Sequence, residues 1–226
     1  MHGKLLTTAR KIAHTAIPNS VRNTEAYQAL RRQFDDMGDQ TQHRVSSYPS
    51  VEDLTAQSAD AIATSIFRQF HPRSVVDVGC GTGALLGAFR HHGCQIKGVE
   101  FANAGIEYFS LKGIDVTRFD LRSNASVSIS PVNLAVSFAV TEHLPVRVAN
   151  RYVDLLCSLA SQIVISAAAP QQGGQDHANE HSHSFWIEEF ASRGYCWDKE
   201  VSLKFSRDWR SAGVAPFYFQ NVMMFS

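Results

Sequence analysis

The chain reads as an α/β protein: one doubly wound, seven-stranded sheet, mostly parallel, with an antiparallel C-terminal edge hairpin and an N-terminal helical arm. Three observations predict this. From residue 49 onward, short β-branched runs alternate with apolar residues at helical spacing, the pattern of a parallel sheet covered by helices. Residues 74–83, S-V-V-D-V-G-C-G-T-G, have the form strand, glycine loop, helix start. The last two apolar runs are joined by a loop with no helix between them, which suits an antiparallel pair. A length of 226 residues fits one such domain, 48–226, with an extra segment, 1–47, before it.

The elements follow in order. Residues 1–47 carry Lys4, Arg10, Lys11, Arg22, Arg31 and Arg32, then Asp35, Asp36 and Asp39 around Gly38. Helical spacing over 24–34 predicts a solvated helical arm, or a lid or dimer arm over the site. Pro49 opens the next segment. Ser50 offers an N-cap, and Glu52 and Asp53 an acidic first turn. Leu54, Ala61, Ile62, Ile66, Phe67 and Phe70 then form a helical stripe that ends at His71-Pro72.

Val75, Val76 and Val78 predict a buried strand at 74–79. Ala84, Leu85, Leu86, Ala88 and Phe89 predict a helix over 83–92, stopped by Gly93. Strands follow at 95–100, 114–119, 132–138 and 162–167. A helix at 102–111, closed by Gly113, separates the first two of these, and a long helix at 145–160 the last two. Residues 168–182 are a polar, Gly-rich loop. A helix at 185–192 ends at Gly194, and strands at 195–205 and 217–225 close the chain.

Formal net charge is zero, so no broad basic field invites nucleic acid. Cys80, Cys94, Cys157 and Cys196 are scattered with no C-x-x-C pair and read as reduced thiols. There is no apolar run long enough for a membrane span and no N-terminal apolar region of a leader, so a cytoplasmic protein is expected.

The glycine loop carries the functional reading. Gly79, Gly81 and Gly83 permit a sharp turn and close backbone approach by a ligand, and the helix after them presents free N–H groups. The dinucleotide fingerprint G-x-G-x-x-G needs glycine where Ala84 stands, and no G-K-[S/T] follows for a P-loop. The unit suits a nucleoside-like cofactor. In doubly wound sheets ligands sit beyond the carboxyl ends of the strands. Glu100, ending the second strand, can there accept both ribose hydroxyls of an adenosine. Asp120, ending the third, can accept the adenine amine, and Leu121 can offer its N–H to the ring. Phe101 can pack on the adenine face or in the core. Asp77 binds the cofactor's ammonium through water or ties down the loop. Cys80 supplies a small side chain within it.

The string D-V-G-C-G-T-G resembles motif I of the class I S-adenosylmethionine-dependent methyltransferases, which have a Rossmann-like sheet. The resemblance implies S-adenosyl-L-methionine as cofactor, with its methionine end over the loop. It extends to S-F-A-V-T-E-H-L-P, S-A-A-A-P-Q-Q-G-G-Q-D-H-A-N-E, F-W-I-E-E-F and Y-F-Q-N-V-M-M-F. These segments look like a bacterial subgroup met near sugar, polysaccharide and natural-product genes. That subgroup carries Glu where this chain has Ala139 and Asp where it has Glu100.

Methyl transfer needs an aligned nucleophile and often a proton acceptor. Phe138 ends the fourth strand beside the expected methyl group. His143, shortly after it, suits a general base, a cofactor contact or a helix cap. His177 lies in the 166–180 loop with Asn179 and Glu180, followed by His181 and His183; Gly173 and Gly174 let this loop fold over a substrate. His143 and His177 are therefore the expected catalytic residues. The E-H pair also resembles the divalent-metal site of small-RNA 2′-O-methyltransferases. Glu142, His143 and one of His177, His181 or His183 would supply three ligands, but Ala139 removes a fourth, so no metal is expected.

The leading expectation is O-methylation of a small molecule or sugar, with a homodimer left open. The alternatives are a non-catalytic cofactor-binding module or partner subunit, and a metal-assisted RNA 2′-O-methyltransferase using the basic arm.

Overall fold

The computed structural model describes residues 48–101, 113–121, 127–170, 172 and 179–226, with the backbone alone for most of 48–57. The expected arm at 1–47 and helix at 102–111 lie outside the described residues.

The chain enters through helix α1 (Tyr48–Phe70), and Pro72 follows its last turn. Strand β1 (Ser74–Val78) leads through the glycine loop into α2 (Ala84–His91). Strands β2 (Gln95–Glu100), β3 (Val116–Arg118) and β4 (Leu134–Phe138) follow. Two single 3-10 turns, Thr141–His143 and Val146–Val148, then lead into α3 (Ala149–Leu159). Strand β5 (Ile163–Ser166), helices α4 (His183–Ala191), α5 (Lys199–Ser211) and α6 (Pro216–Phe219), and strand β6 (Val222–Phe225) complete the order.

The sheet has six strands in the order β3-β2-β1-β4-β5-β6. All neighbours pair in parallel except β5 and β6, whose register runs antiparallel from Ile163 opposite Phe225 to Ser166 opposite Val222. The strand order reverses between β1 and β4, and that opens a crevice at their carboxyl ends.

Two-residue alternation sorts the strand side chains onto two cores. Ala135, Ile163, Ile165, Met223 and Phe225 face one core with Tyr152, Leu156, Trp186 and Phe190 from α3 and α4. Leu134, Val136, Val164, Val222 and Met224 face the other, with Ile62, Ile66, Phe89, Phe205 and Trp209 from α1, α2 and α5. Both faces are covered, so the central strands read as nearly unbroken apolar runs.

The seventh strand, expected at 195–205, is not formed. Val201, Leu203 and Phe205 alternate over a short window and mimic a strand. Val201, Phe205 and Trp209 recur at helical spacing over a longer one, and the longer pattern wins: Phe205 and Trp209 are buried and stacked at 5.4 Å, while Leu203 is exposed. Asp198 starts the helix by accepting the Val201 N–H at 2.9 Å. Of the predicted hairpin only the stretch 196–198 pairs with the end of β6, through Cys196, Asp198 and the Trp197–Phe225 bridge. The antiparallel edge is instead β6 against β5. Residues 217–219, expected in the last strand, form α6, which begins at Pro216, where a missing N–H costs nothing.

Asp198→Ala removes the α5 cap and should cost about 1 kcal/mol in urea unfolding. A change within error would mean that the cap contributes nothing to the helix.

Candidate functional site

The crevice between β1 and β4 is built first by the glycine loop. Gly79, Gly81 and Gly83 all have positive φ, at 78°, 52° and 71°. At Gly79 glycine is obligatory for a second reason: a Cβ there would run into the side chain of Val140 from beyond β4. Around a Cβ at Gly81 nothing lies within 4 Å, so that part of the loop faces open space. The loop is anchored to β2: the Gly79 and Cys80 N–H groups reach the Val99 carbonyl at 2.8 and 3.4 Å.

Glu100 completes the anchor. One carboxylate oxygen accepts from Gly81 N–H at 3.1 Å, the other from its neighbour Phe101 N–H at 2.8 Å. Cys80 points its thiol beneath the loop, into a small core with Leu86 and Ile114. Burial pushes this thiol well up, with Asp77 and Glu100 adding to the effect, so it stays protonated. Asp77 is buried directly under the loop. Its burial, and secondarily the charge of Glu100, push its carboxyl from 3.8 up to about 8.

Asp120 is half-buried just after β3. Leu121 is buried in the core beneath α3 and α4, and Phe101 is half-buried behind Glu100. Phe138 stands at the crevice with its ring edge-on to Trp209 at 5.8 Å and Tyr218 at 5.9 Å. Its successor Ala139 holds a positive φ of 54° and donates its N–H to the Ser166 hydroxyl at 3.0 Å, which ties the end of β4 to the end of β5. A non-glycine residue in this region stores strain, and a methyl side chain keeps that strain small.

The 3-10 turn after β4 separates the E-H pair. Glu142 is buried and accepts the Thr141 hydroxyl at 3.2 Å, whereas His143 is exposed. His177 lies outside the described residues. Asn179 returns to the crevice: its N–H donates to the Glu142 carbonyl at 3.2 Å. His181 is stacked on Phe185 at 3.8 Å, and burial pushes its imidazole below the usual value. Among the described residues no three His, Cys, Asp or Glu side chains come together as a metal site, so Glu142, His143 and His183 are not gathered into one.

Three residues that the sequence reading did not single out also build the crevice. Ser166 holds Ala139, as above. Asn221 donates its amide to Gln172 at 2.8 Å and fastens the loop after β5 to the closing segment. Tyr218 is buried against Phe138, within the fields of Asp77 and Glu142. The signal for Tyr218 was the C-terminal Y-F-Q-N run, but only the turn of α6 points it at the crevice.

The family model described as a methyltransferase domain matches residues 50–203. The chain belongs to that family. No curated protein matches it in sequence. Solved structures match its fold. Magnesium protoporphyrin IX methyltransferase from Synechocystis PCC 6803, with bound SAH, shares 17% identity over 64% of this chain and 74% of that one, TM-score 0.53. The methyltransferase domain of bacterial CtHen1 shares 17% over 75% and 96%, TM-score 0.53. PigF, also with SAH, shares 15% over 67% and 54%, TM-score 0.52. These neighbours share its Rossmann-like fold. No helix among the described residues is long and apolar enough to cross a membrane.

Two outcomes follow from the loop. Gly79→Ala forces a positive φ and a contact with Val140, and should cost about 1–3 kcal/mol in urea unfolding; an unchanged midpoint would contradict the packing. Asp77, raised from 3.8 to about 8, binds a proton in the folded chain that the unfolded chain has lost. Stability should therefore fall as pH rises through that window, and Asp77→Asn should flatten the fall. Thermal melts of both proteins across the window measure this, and parallel profiles would refute it.

Proposed function

We propose that this methyltransferase domain binds S-adenosylmethionine at the glycine loop and transfers its methyl group to an oxygen of a small molecule. The observation that carries the reading is the loop itself: three left-handed glycines held against Glu100 by the Gly81 N–H. S-adenosylmethionine supplies a methyl group on a positively charged sulfur. The residues of the crevice fit it. Glu100 accepts from the Gly81 and Phe101 N–H groups at the end of β2, where a carboxylate suits the ribose hydroxyls. Asp120 and Leu121, at the end of β3, suit the adenine edge, with Phe101 against its face. Asp77 suits the ammonium group, whose positive charge would favour the ionised carboxylate. Phe138 walls the methyl end, and the backbone at Cys80 lines the loop.

A small acceptor is favoured by the zero formal charge, which leaves no excess of cations to grip a phosphate backbone. An oxygen acceptor must surrender its proton as it attacks, and the crevice holds groups able to receive one. Of the two histidines expected to act, His143 is exposed on the turn after β4 and His177 lies outside the described residues.

Calorimetry with S-adenosylhomocysteine tests the cofactor site. Saturable binding is expected, weakened about 10–100-fold in Glu100→Ala, the loss of one or two charge-assisted hydrogen bonds. A wild-type protein that gives no heat at high-micromolar ligand would remove the basis of the proposal.

A further inference from the structure

Two buried carboxyl groups stand at the carboxyl ends of the adjacent strands β1 and β4. Asp77 is 4% exposed and Glu142 is 5% exposed. Among the described residues neither has an ion-pair partner. Tyr152 and Tyr218 are buried nearby, and each feels the charge of both acids. A buried acid without a cation is strongly unfavourable and is retained where it has work to perform. The cofactor reading gives Asp77 a positively charged partner. It gives Glu142 none.

The surroundings of Glu142 say what it faces. The Thr141 hydroxyl holds one oxygen of its carboxylate at 3.2 Å and so restricts its orientation. The backbone bond from Asn179 brings that residue against the same turn. Asn179 is 3% exposed, yet among the described residues neither its carbonyl oxygen nor its amide nitrogen has a hydrogen-bond partner. A buried amide without partners is costly and rare, and its presence points to a ligand that completes it. An amide offers one acceptor and two donor hydrogens, a match for hydroxyl groups. A Glu142 carboxylate placed to take a proton would repel a carboxylate or a phosphate.

We propose that Glu142 is the proton acceptor of the methyl transfer and that Asn179 holds a neutral, hydroxyl-bearing acceptor against it. This rests on the S-adenosylmethionine reading above. The acceptor's O–H proton passes to a Glu142 oxygen while an oxygen lone pair bonds to the methyl carbon. The carbon–sulfur pair leaves on sulfur, which becomes the neutral thioether of S-adenosylhomocysteine. Tyr218 does not compete for the proton: burial, then Asp77 and Glu142, push its phenol up to about 12. His143, one residue along, sits exposed on the same turn.

The test uses the full chain, methyl-tritiated S-adenosylmethionine and a deproteinised small-molecule extract of cells that carry the gene, split on an anion exchanger. Label should enter the unretained fraction. Glu142→Gln should lose transfer by about 10²–10⁴-fold, with S-adenosylhomocysteine affinity unchanged. The same variant should raise the melting temperature by about 2–4 °C, because it removes an unpaired buried charge. Asn179→Leu should raise the acceptor KM and leave cofactor binding intact. Label only in the retained, anionic fraction, or no label in any, overturns the inference, as does a melting temperature that falls in Glu142→Gln. Retained transfer in Glu142→Gln with loss in His143→Gln moves the proton to the histidine and also overturns it. If S-adenosylhomocysteine does not bind the wild type, the cofactor reading fails first; if it binds normally, only the present inference is at stake.

Discussion

The loop after β1 lies flat on the end of β2 because Gly98 has no side chain. A Cβ there would stand 2.8 Å from the Cys80 sulfur and 2.9 Å from a Val116 methyl group. With that space open, the Cys80 thiol packs downward and the backbone of the loop comes within reach of Val99 and Glu100. Gly79 makes the equivalent clearance toward β4, where Val140 fills the place of a side chain. Two missing methyl-sized groups on neighbouring strands thus set the width of the crevice. Backbone N–H groups do the holding, and they cannot be altered by substitution as a side chain can.

Electrostatics at this edge runs against stability. Asp77, Glu100 and Glu142 stand at or beyond the ends of adjacent strands, and Asp77 is held largely protonated near neutrality by burial and by its neighbour. The arrangement is tolerable because the sheet beneath it is covered on both faces by aromatic-rich cores. Phe190 stacks on Phe225 at 4.1 Å, and Phe205 on Trp209 at 5.4 Å. A rigid, well-packed body can carry a few destabilising groups where chemistry needs them.

The parts that meet in the crevice come from distant stretches of the chain. Ser166 fixes Ala139, the Asn179 backbone fixes Glu142, and Asn221 fixes Gln172. Each link joins a loop after one parallel strand to a neighbouring element, as the crossover topology of the sheet requires. The closing segment contributes as well, since α6 sets Tyr218 against Phe138. The side of the crevice toward β4 and β5 is therefore assembled by long-range packing, while the glycine side is built from contiguous sequence.

That division separates what the amino-acid sequence determined from what the tertiary structure decided. The strand–loop–helix at 74–91, the strand at 95–100 and the doubly wound order were legible, because glycine spacing, β-branched runs and helical stripes are local signals that tertiary packing reinforces. The strand read at 195–205 was misjudged because a five-residue alternation is weaker evidence than a three-turn stripe anchored by Trp209. The difference between Glu142 and His143 could not be read at all. Adjacent residues on a tight turn face opposite ways, and only the docking of Asn179 and Thr141 turned the acid inward. Residue types announced an acid and an imidazole at this turn; burial, which depends on every element packed around it, decided which of them faces inward.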